Sequence, residues 1–212
     1  MTITALMLLI SGLLLIMYPK WNTYMEERRE LQLLTEWDAY LKENSLEEQS
    51  IQTAQTTTTT TNKAGTEPKL IDGIPVHGTI AINKIDLREP IVEGATPQSL
   101  KVGSGSVVPG RAPGEIGNYV LASHRSLKFG RHYNRLDELA IGDSIQVETA
   151  DRTFTYTVRS KSIVTPEDLS VLDQNPHERE LTLITCDPID TATHRLIVKA
   201  FMEEEIHSTK ID

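Results

Sequence analysis

Cysteine is nearly absent: Cys186 is the single thiol in 212 residues. That excludes an internal disulfide and a thiolate-rich zinc site, each of which needs further cysteines. Two readings remain, a small buried hydrophobe or a reactive group. Basic residues are also scarce. With 21 Lys and Arg against 30 Asp and Glu the formal charge is -9. Binding a phosphate backbone takes clustered Lys and Arg, so nucleic acid is not an expected partner. No set of carboxylates stands at metal-ligand spacing, and neither a metal nor a cofactor is expected. Internal repeats are lacking too. At 39% hydrophobic and 24% charged, the chain can bury one sizeable core and leave its ends outside it.

One long uncharged run is present. MTITALMLLISGLLLIMYP, residues 1–19, carries no charge and has a leucine-rich centre, close to the roughly 20 residues that span a bilayer as helix. No small-x-small cleavage pattern follows it, and Tyr18, Trp21 and Tyr24 suit a membrane interface. The expectation is an uncleaved transmembrane signal anchor over 1–22, a single pass at the cell membrane. No Lys or Arg precedes the run, whereas Lys20, Arg28 and Arg29 follow it. The positive-inside rule taken literally would place the rest of the chain inside, and a start site set too far downstream would give the same pattern, so charge alone leaves topology open.

MEERRELQLLTEWDAYLK puts Leu33, Leu34, Trp37, Tyr40 and Leu41 at helical spacing, which predicts a juxtamembrane amphipathic helix over 23–48. A polar stretch over 49–70, with six consecutive threonines at Thr56 to Thr61, cannot bury enough surface to offset its ordering entropy and reads as a linker. A folded unit over 71–204 and a tail over 205–212 complete the division.

Within 71–204 the signals are mostly β. TIAI, NYVLAS, SIQVET, FTYTVRS, LTLIT and RLIVKAFM are short runs rich in β-branched and aromatic residues. VGSGSVVPGRAPGEIG reads as a turn-rich connection. Two short helices are expected at TPQSLKVG, capped by Thr96, and at TPEDLSVL, where Thr165 precedes a proline at the first helical position. Many short strands with few helices predict a small antiparallel or mixed barrel.

The thiol sits at the end of LTLIT, and Arg195 opens the next run nine positions later. If the two runs are antiparallel neighbours joined by DPIDTATH, Cys186 and Arg195 meet across the pair. A guanidinium there favours the thiolate and can hold an oxyanion, and it stays charged. Acyl chemistry also needs a proton carrier. Of six histidines, His124 follows the apolar run NYVLAS at a strand end. His194 adjoins Arg195, and neighbours in an extended chain point to opposite faces. Geometry favours His124, although each histidine could equally be a solvated surface residue.

TLITC ending in Cys186, THRLIV carrying Arg195, and LASHR carrying His124 together resemble the sortase family of membrane-anchored cysteine transpeptidases. The likeness runs over roughly Ile74 to Met202. It implies an eight-stranded β-barrel in which Cys186 attacks the Thr–Gly bond of an LPXTG-like sorting signal. His124 would serve as general acid and then base, and Arg195 would stabilise the oxyanion or position the substrate. It also implies that a cell-wall precursor amine resolves the acyl-enzyme, that the partners are surface proteins bearing C-terminal sorting signals, and that the barrel lies on the extracytoplasmic face. Ala122, Ile184 and Thr185 match positions near the family's substrate groove, although an apolar strand residue such as Ile184 is more often core. No second apolar span follows Met202 and no Asp-Pro-aromatic lid precedes the barrel, so a pilin-polymerising type is disfavoured and a housekeeping class A-like or class D-like type preferred. Ser123 stands where many members have glycine. A peptidase that uses water as acceptor and a non-catalytic barrel with a packed thiol are the competing readings.

Overall fold

The computed structural model describes residues 2–52 and 68–202, and within the first helix it describes the side chains of residues 6, 7 and 9–46. The threonine run Thr56 to Thr61 and the tail 205–212 lie outside the described residues.

The N-terminal part is one helix, α1 (Thr2–Gln52), with Pro19 inside it. Leu, Glu, Gln, Lys and Arg dominate its second half and are strong helix formers. Pairs four residues apart, Asn22 with Glu26 and Gln32 with Glu36, tie successive turns. Among the described residues no helix is long and apolar enough to cross a membrane. This corrects the expected signal anchor over 1–22, its transmembrane character and the single-pass localisation at the cell membrane that rested on it. Charge begins at Lys20 within the same helix.

The apolar face farther along α1 is turned to protein. Leu33 and Trp37, one turn apart, are fully buried with Tyr40 and Leu41 beside them, against Ile71, Val76, Val92 and Val102. Arg88 adds a two-pronged pair to Asp38 at 2.6 and 3.1 Å. The helix is thereby fastened to the outside of the sheet.

Among the described residues the sheet has nine strands: β1 (Lys69–Ile71), β2 (Ile74–Ile82), β3 (Leu87–Glu93), β4 (Ser104–Ser106), β5 (Gly117–Ala122), β6 (Ser144–Glu148), β7 (Thr153–Val164), β8 (Arg179–Asp187) and β9 (His194–Phe201). Their order is β1-β2-β3-β4-β5-β8-β9-β7-β6, with β2 also pairing β6. That last pairing closes β2 to β9 into an eight-stranded barrel, and β1 lies outside it as a hairpin extension of β2. Two pairs, β3–β4 and β5–β8, are parallel and the others antiparallel.

Closure depends on close backbone approach. A side chain at Gly78 would put its Cβ 2.0 Å from the Glu148 carbonyl oxygen on β6, so only glycine lets the seam close. Gly105 similarly lets β4 lie against the Gly94 carbonyl, 2.4 Å from where a Cβ would stand. The interior is apolar: Ile80, Leu121, Tyr156, Leu181, Leu183 and Val198 are among its fully or nearly fully buried residues.

The two expected short helices are 3₁₀ turns, Ser99–Lys101 and Leu169–Leu172. Thr96 Oγ1 does accept from Ser99 N at 3.1 Å. At the second turn the cap is Asp168, whose carboxylate accepts from Ser170 N, rather than Thr165. Within the segment expected to be a turn-rich connection, Ser104–Ser106 forms β4.

Candidate active site

Alternation along β8 sorts its side chains onto two faces. Leu181 and Leu183 point into the barrel core, and Thr185 follows the same parity. Thr182, Ile184 and Cys186 point outward. In the β8–β9 ladder Cys186 is the register partner of Arg195, and Ile184 that of Ile197. In the parallel β5–β8 ladder Ala122 is paired with Ile184, and Ser123 N donates to Ile184 O at 3.1 Å. Cys186 and Arg195 are thus cross-strand partners at the ends of β8 and β9, and His124 lies two residues past the end of β5, beyond the last β5–β8 pair.

The three side chains are held differently. Cys186 is a half-buried free thiol inside a continuous ladder. Arg195 is half-buried, and its Nη1 donates to Ala192 O at 3.0 Å and His194 O at 2.8 Å, so the connection back from β8 fixes its guanidinium. His124 lies past the end of β5, with its carbonyl accepting from Tyr133 N at 3.0 Å. The residue is exposed, yet partial desolvation of its ring, with the neighbouring His132 as the second cause, holds the imidazole below the ordinary histidine range, against a weaker upward pull from Glu26. A neutral ring is the form that can take a proton. His194 is exposed and its Nδ1 lies 3.0 Å from Thr193 Oγ1.

Of the expected groove residues, Ala122 and Ile184 are half-buried register partners on the row next to Cys186. Thr185 is buried and its hydroxyl donates to Ser123 O at 2.9 Å, tying β8 to the segment that leads to His124.

A buried polar chain stands behind His124. The rings of His124 and His132 are 6.4 Å apart. His132 Nδ1 lies 2.8 Å from Glu89 Oε2. Ser104 Oγ donates to Glu89 Oε1 at 2.5 Å and lies 2.7 Å from the Tyr133 hydroxyl. Glu89 has no exposed surface, and a carboxylate there is tolerable only because both its oxygens are bonded. From α1, Glu26 and Glu30 face Arg131 at 3.6 and 3.8 Å. Burial, then Glu89, pushes the Glu30 carboxyl up to about 7. Glu30, Glu89 and His132 keep ligand atoms within 4.8 Å of one another, a set that could hold a cation, although the Arg131 guanidinium already sits against it. None of this was visible in sequence spacing, since the three come from α1, β3 and the stretch after β5. Arg125 and Asp187, which pair with each other, did carry a signal: they directly follow His124 and Cys186.

The chain is a closed mixed β-barrel with its thiol at the end of β8 paired to an arginine at the start of β9. The Sortase domain model matches residues 80–203, more than half of the chain, which therefore belongs to the sortase family. Sortase D of Bacillus subtilis (strain 168) is 32% identical over 171 residues, covering 77% of this chain and 83% of that protein. Sortase A of Streptococcus agalactiae serotype III (strain NEM316) is 34% identical over 136 residues, 62% of this chain. The chain spans 54% of that protein's length and 60% of the length of Bacillus anthracis Sortase A. Among solved structures, a Clostridium perfringens Sortase D5 transpeptidase is similar at TM-score 0.56 and 31% identity, over 64% of this chain and 82% of that one. Listeria monocytogenes sortase A gives 0.57 and 25%, over 61% and 88%. This membership supports a cysteine-transpeptidase type of activity in general terms.

Proposed function

We propose that the chain is a cysteine transpeptidase that cleaves an LPXTG-like sorting signal between Thr and Gly and passes the acyl group to an amine of a cell-wall precursor. The observation that supports this best is the register pairing of Cys186 with Arg195 across β8 and β9, with His124 just past the end of β5, the parallel neighbour of β8. Cys186 Sγ attacks the threonine carbonyl carbon as its proton passes to the neutral His124 ring. The resulting oxyanion is met by the Arg195 guanidinium, whose charge is permanent and whose position is fixed before substrate arrives. The imidazolium returns its proton to the glycine nitrogen as the C–N bond breaks, leaving a thioester on Cys186. The acceptor amine then attacks that thioester, gives a proton to His124 and releases the thiol. Ala122 and Ile184 floor the groove next to the nucleophile, and Thr185 supports it from the barrel side. Surface proteins with C-terminal sorting signals are the first substrate and the precursor amine the second.

The test is cleavage of an LPXTG-type peptide by the full chain, with mass spectrometry of the products in the presence and absence of an added amine. Thr–Gly cleavage with amine incorporation is expected. Cleavage with water as acceptor, even under saturating amine, would mean a peptidase, and cleavage retained in Cys186→Ala would sink the reading altogether.

A further inference from the structure

Arg125 and Asp187 immediately follow His124 and Cys186. The side chain of Arg125 is only 9% exposed. Its Nη1 donates to Asp187 Oδ1, and its Nη2 lies 2.9 Å from Asp137 Oδ1 on the 3₁₀ segment Tyr133–Glu138. The Arg125 backbone also forms a bridge with His132. The β5–β8 seam weakens just where this occurs: after Ser123 N to Ile184 O and Thr185 Oγ1 to Ser123 O, the next tie between the two strand ends, among the described residues, is Arg125 to Asp187. Backbone pairing therefore stops short of the level at which His124 and Cys186 must exchange a proton. One nearly buried guanidinium takes over.

We propose that Arg125 is a positioning residue that sets the spacing of His124 to Cys186 by clamping Asp187 with one arm and Asp137 with the other. The proposal rests on reading Cys186 as nucleophile and His124 as proton carrier. Arginine suits the task because its planar fork offers separate donors in fixed directions and cannot lose its charge. A lysine carries a single point of charge and cannot hold both carboxylates at the same fixed separation. Arg125 acts through its neighbours, so its loss falls on the chemical step rather than on substrate binding. Misplacing a proton carrier by an ångström is enough to slow that step severely.

The experiment compares wild type, R125A, R125K, D187N and R125A/D187N in the full chain, with C186A and H124A as references. Each variant is assayed well below its own Tm for peptide cleavage, and separately for alkylation of Cys186 by iodoacetamide across pH, which needs no peptide substrate. R125A is expected to lower kcat by about tenfold or more with KM within about twofold. D187N is expected to lose a similar or smaller factor, the double variant no more than R125A alone because R125A already breaks the Asp187 contact, and R125K to recover part of the activity. The R125A alkylation profile is expected to move toward that of H124A. An R125A kcat within about twofold of wild type, losses that multiply in the double variant, or an R125A alkylation profile coincident with wild type would overturn the proposal. A lower Tm with unchanged kcat would assign Arg125 a purely structural part and overturn it as well. Cleavage that survives C186A strikes instead at the nucleophile assignment, and the alkylation profiles still decide whether Arg125 couples His124 to the thiol. If R125A does not fold, R125K and D187N carry the same comparison.

Discussion

The two halves of the site are built by different means. On the β8–β9 side, Cys186 and Arg195 are partners inside an eight-rung antiparallel ladder, so their relation follows from backbone hydrogen bonds that no single side-chain change removes. On the β5 side, His124 lies beyond the last rung and is placed by Tyr133 N, by the Arg125 clamp and by the buried chain from Glu89 to His132. A ladder fixes position cheaply but offers no way to tune it. Side-chain support is more fragile, and it puts charge and burial next to the one group whose proton affinity matters. The thiol and guanidinium are thus set by topology, and the imidazole by local chemistry.

The largest expected effect is on the ladder side. Cys186→Ala is expected to reduce cleavage by about 10⁴-fold or more, as removal of a nucleophile does elsewhere, with no change in melting temperature. Arg195→Ala is expected to lower kcat by about 10²–10³-fold, the scale of losing one oxyanion donor. Because the ladder persists, its stability should stay within about 1 kcal/mol of wild type, as for a partly exposed charge. Steady-state kinetics alongside thermal melting checks both. A large loss of stability in Arg195→Ala would erase the contrast between the halves.

On the side-chain-held half, activity and stability are expected to fall together. Glu89→Ala leaves His132 and Ser104 facing an empty buried position and is expected to destabilise the fold by about 3–5 kcal/mol, the scale of breaking a buried pair. It would also change the pH dependence of kcat, since His132 bears directly on His124. Denaturant unfolding measured with the pH–rate profile tests this. A stable variant with an unchanged profile would show that the chain behind His124 is scaffolding that the imidazole does not sense.

The same division explains what could be read in the sequence. Cys186 and Arg195 were legible because a hairpin turns spacing into proximity, and β8 and β9 advertise themselves with alternating Leu, Ile and Val. His124 was harder, since its pairing to β8 is parallel and the partner registers lie 62 positions apart. Strand β3 was missed because LREPIVE carries Pro90 and charges that argue against a central strand, and β4 because Ser-Gly-Ser has no apolar face. The network of Glu30, Glu89 and His132 was invisible because nothing local links residues that only the closed barrel brings together. Amphipathy on α1 was legible as periodicity, but its partner was not: Leu33 and Trp37 announce that a face is buried without saying against what.

The smallest expected effect concerns how α1 meets the His124 side of the barrel. Glu30 faces Glu89 from β3, His132 and Arg131 from the segment after β5, and Glu27 on its own helix. Its carboxyl is raised from 4.5 to about 7, first by burial and then by Glu89. A carboxyl raised on folding stabilises the docked state fully below its unfolded value, and that contribution fades as pH climbs through the folded value. Docking of α1 over His132 is therefore expected to weaken between about pH 4.5 and pH 7. Glu30→Gln, neutral throughout, is expected to abolish that loss and to melt about 2–4 °C above wild type at pH 8, equivalent to roughly 1 kcal/mol in a chain of this size. Below about pH 4.5 the two would melt together, because both then present a neutral group to Glu89. A Glu30→Gln protein that tracks wild type at every pH would place the acid in solvent and remove α1 from the surroundings of His124.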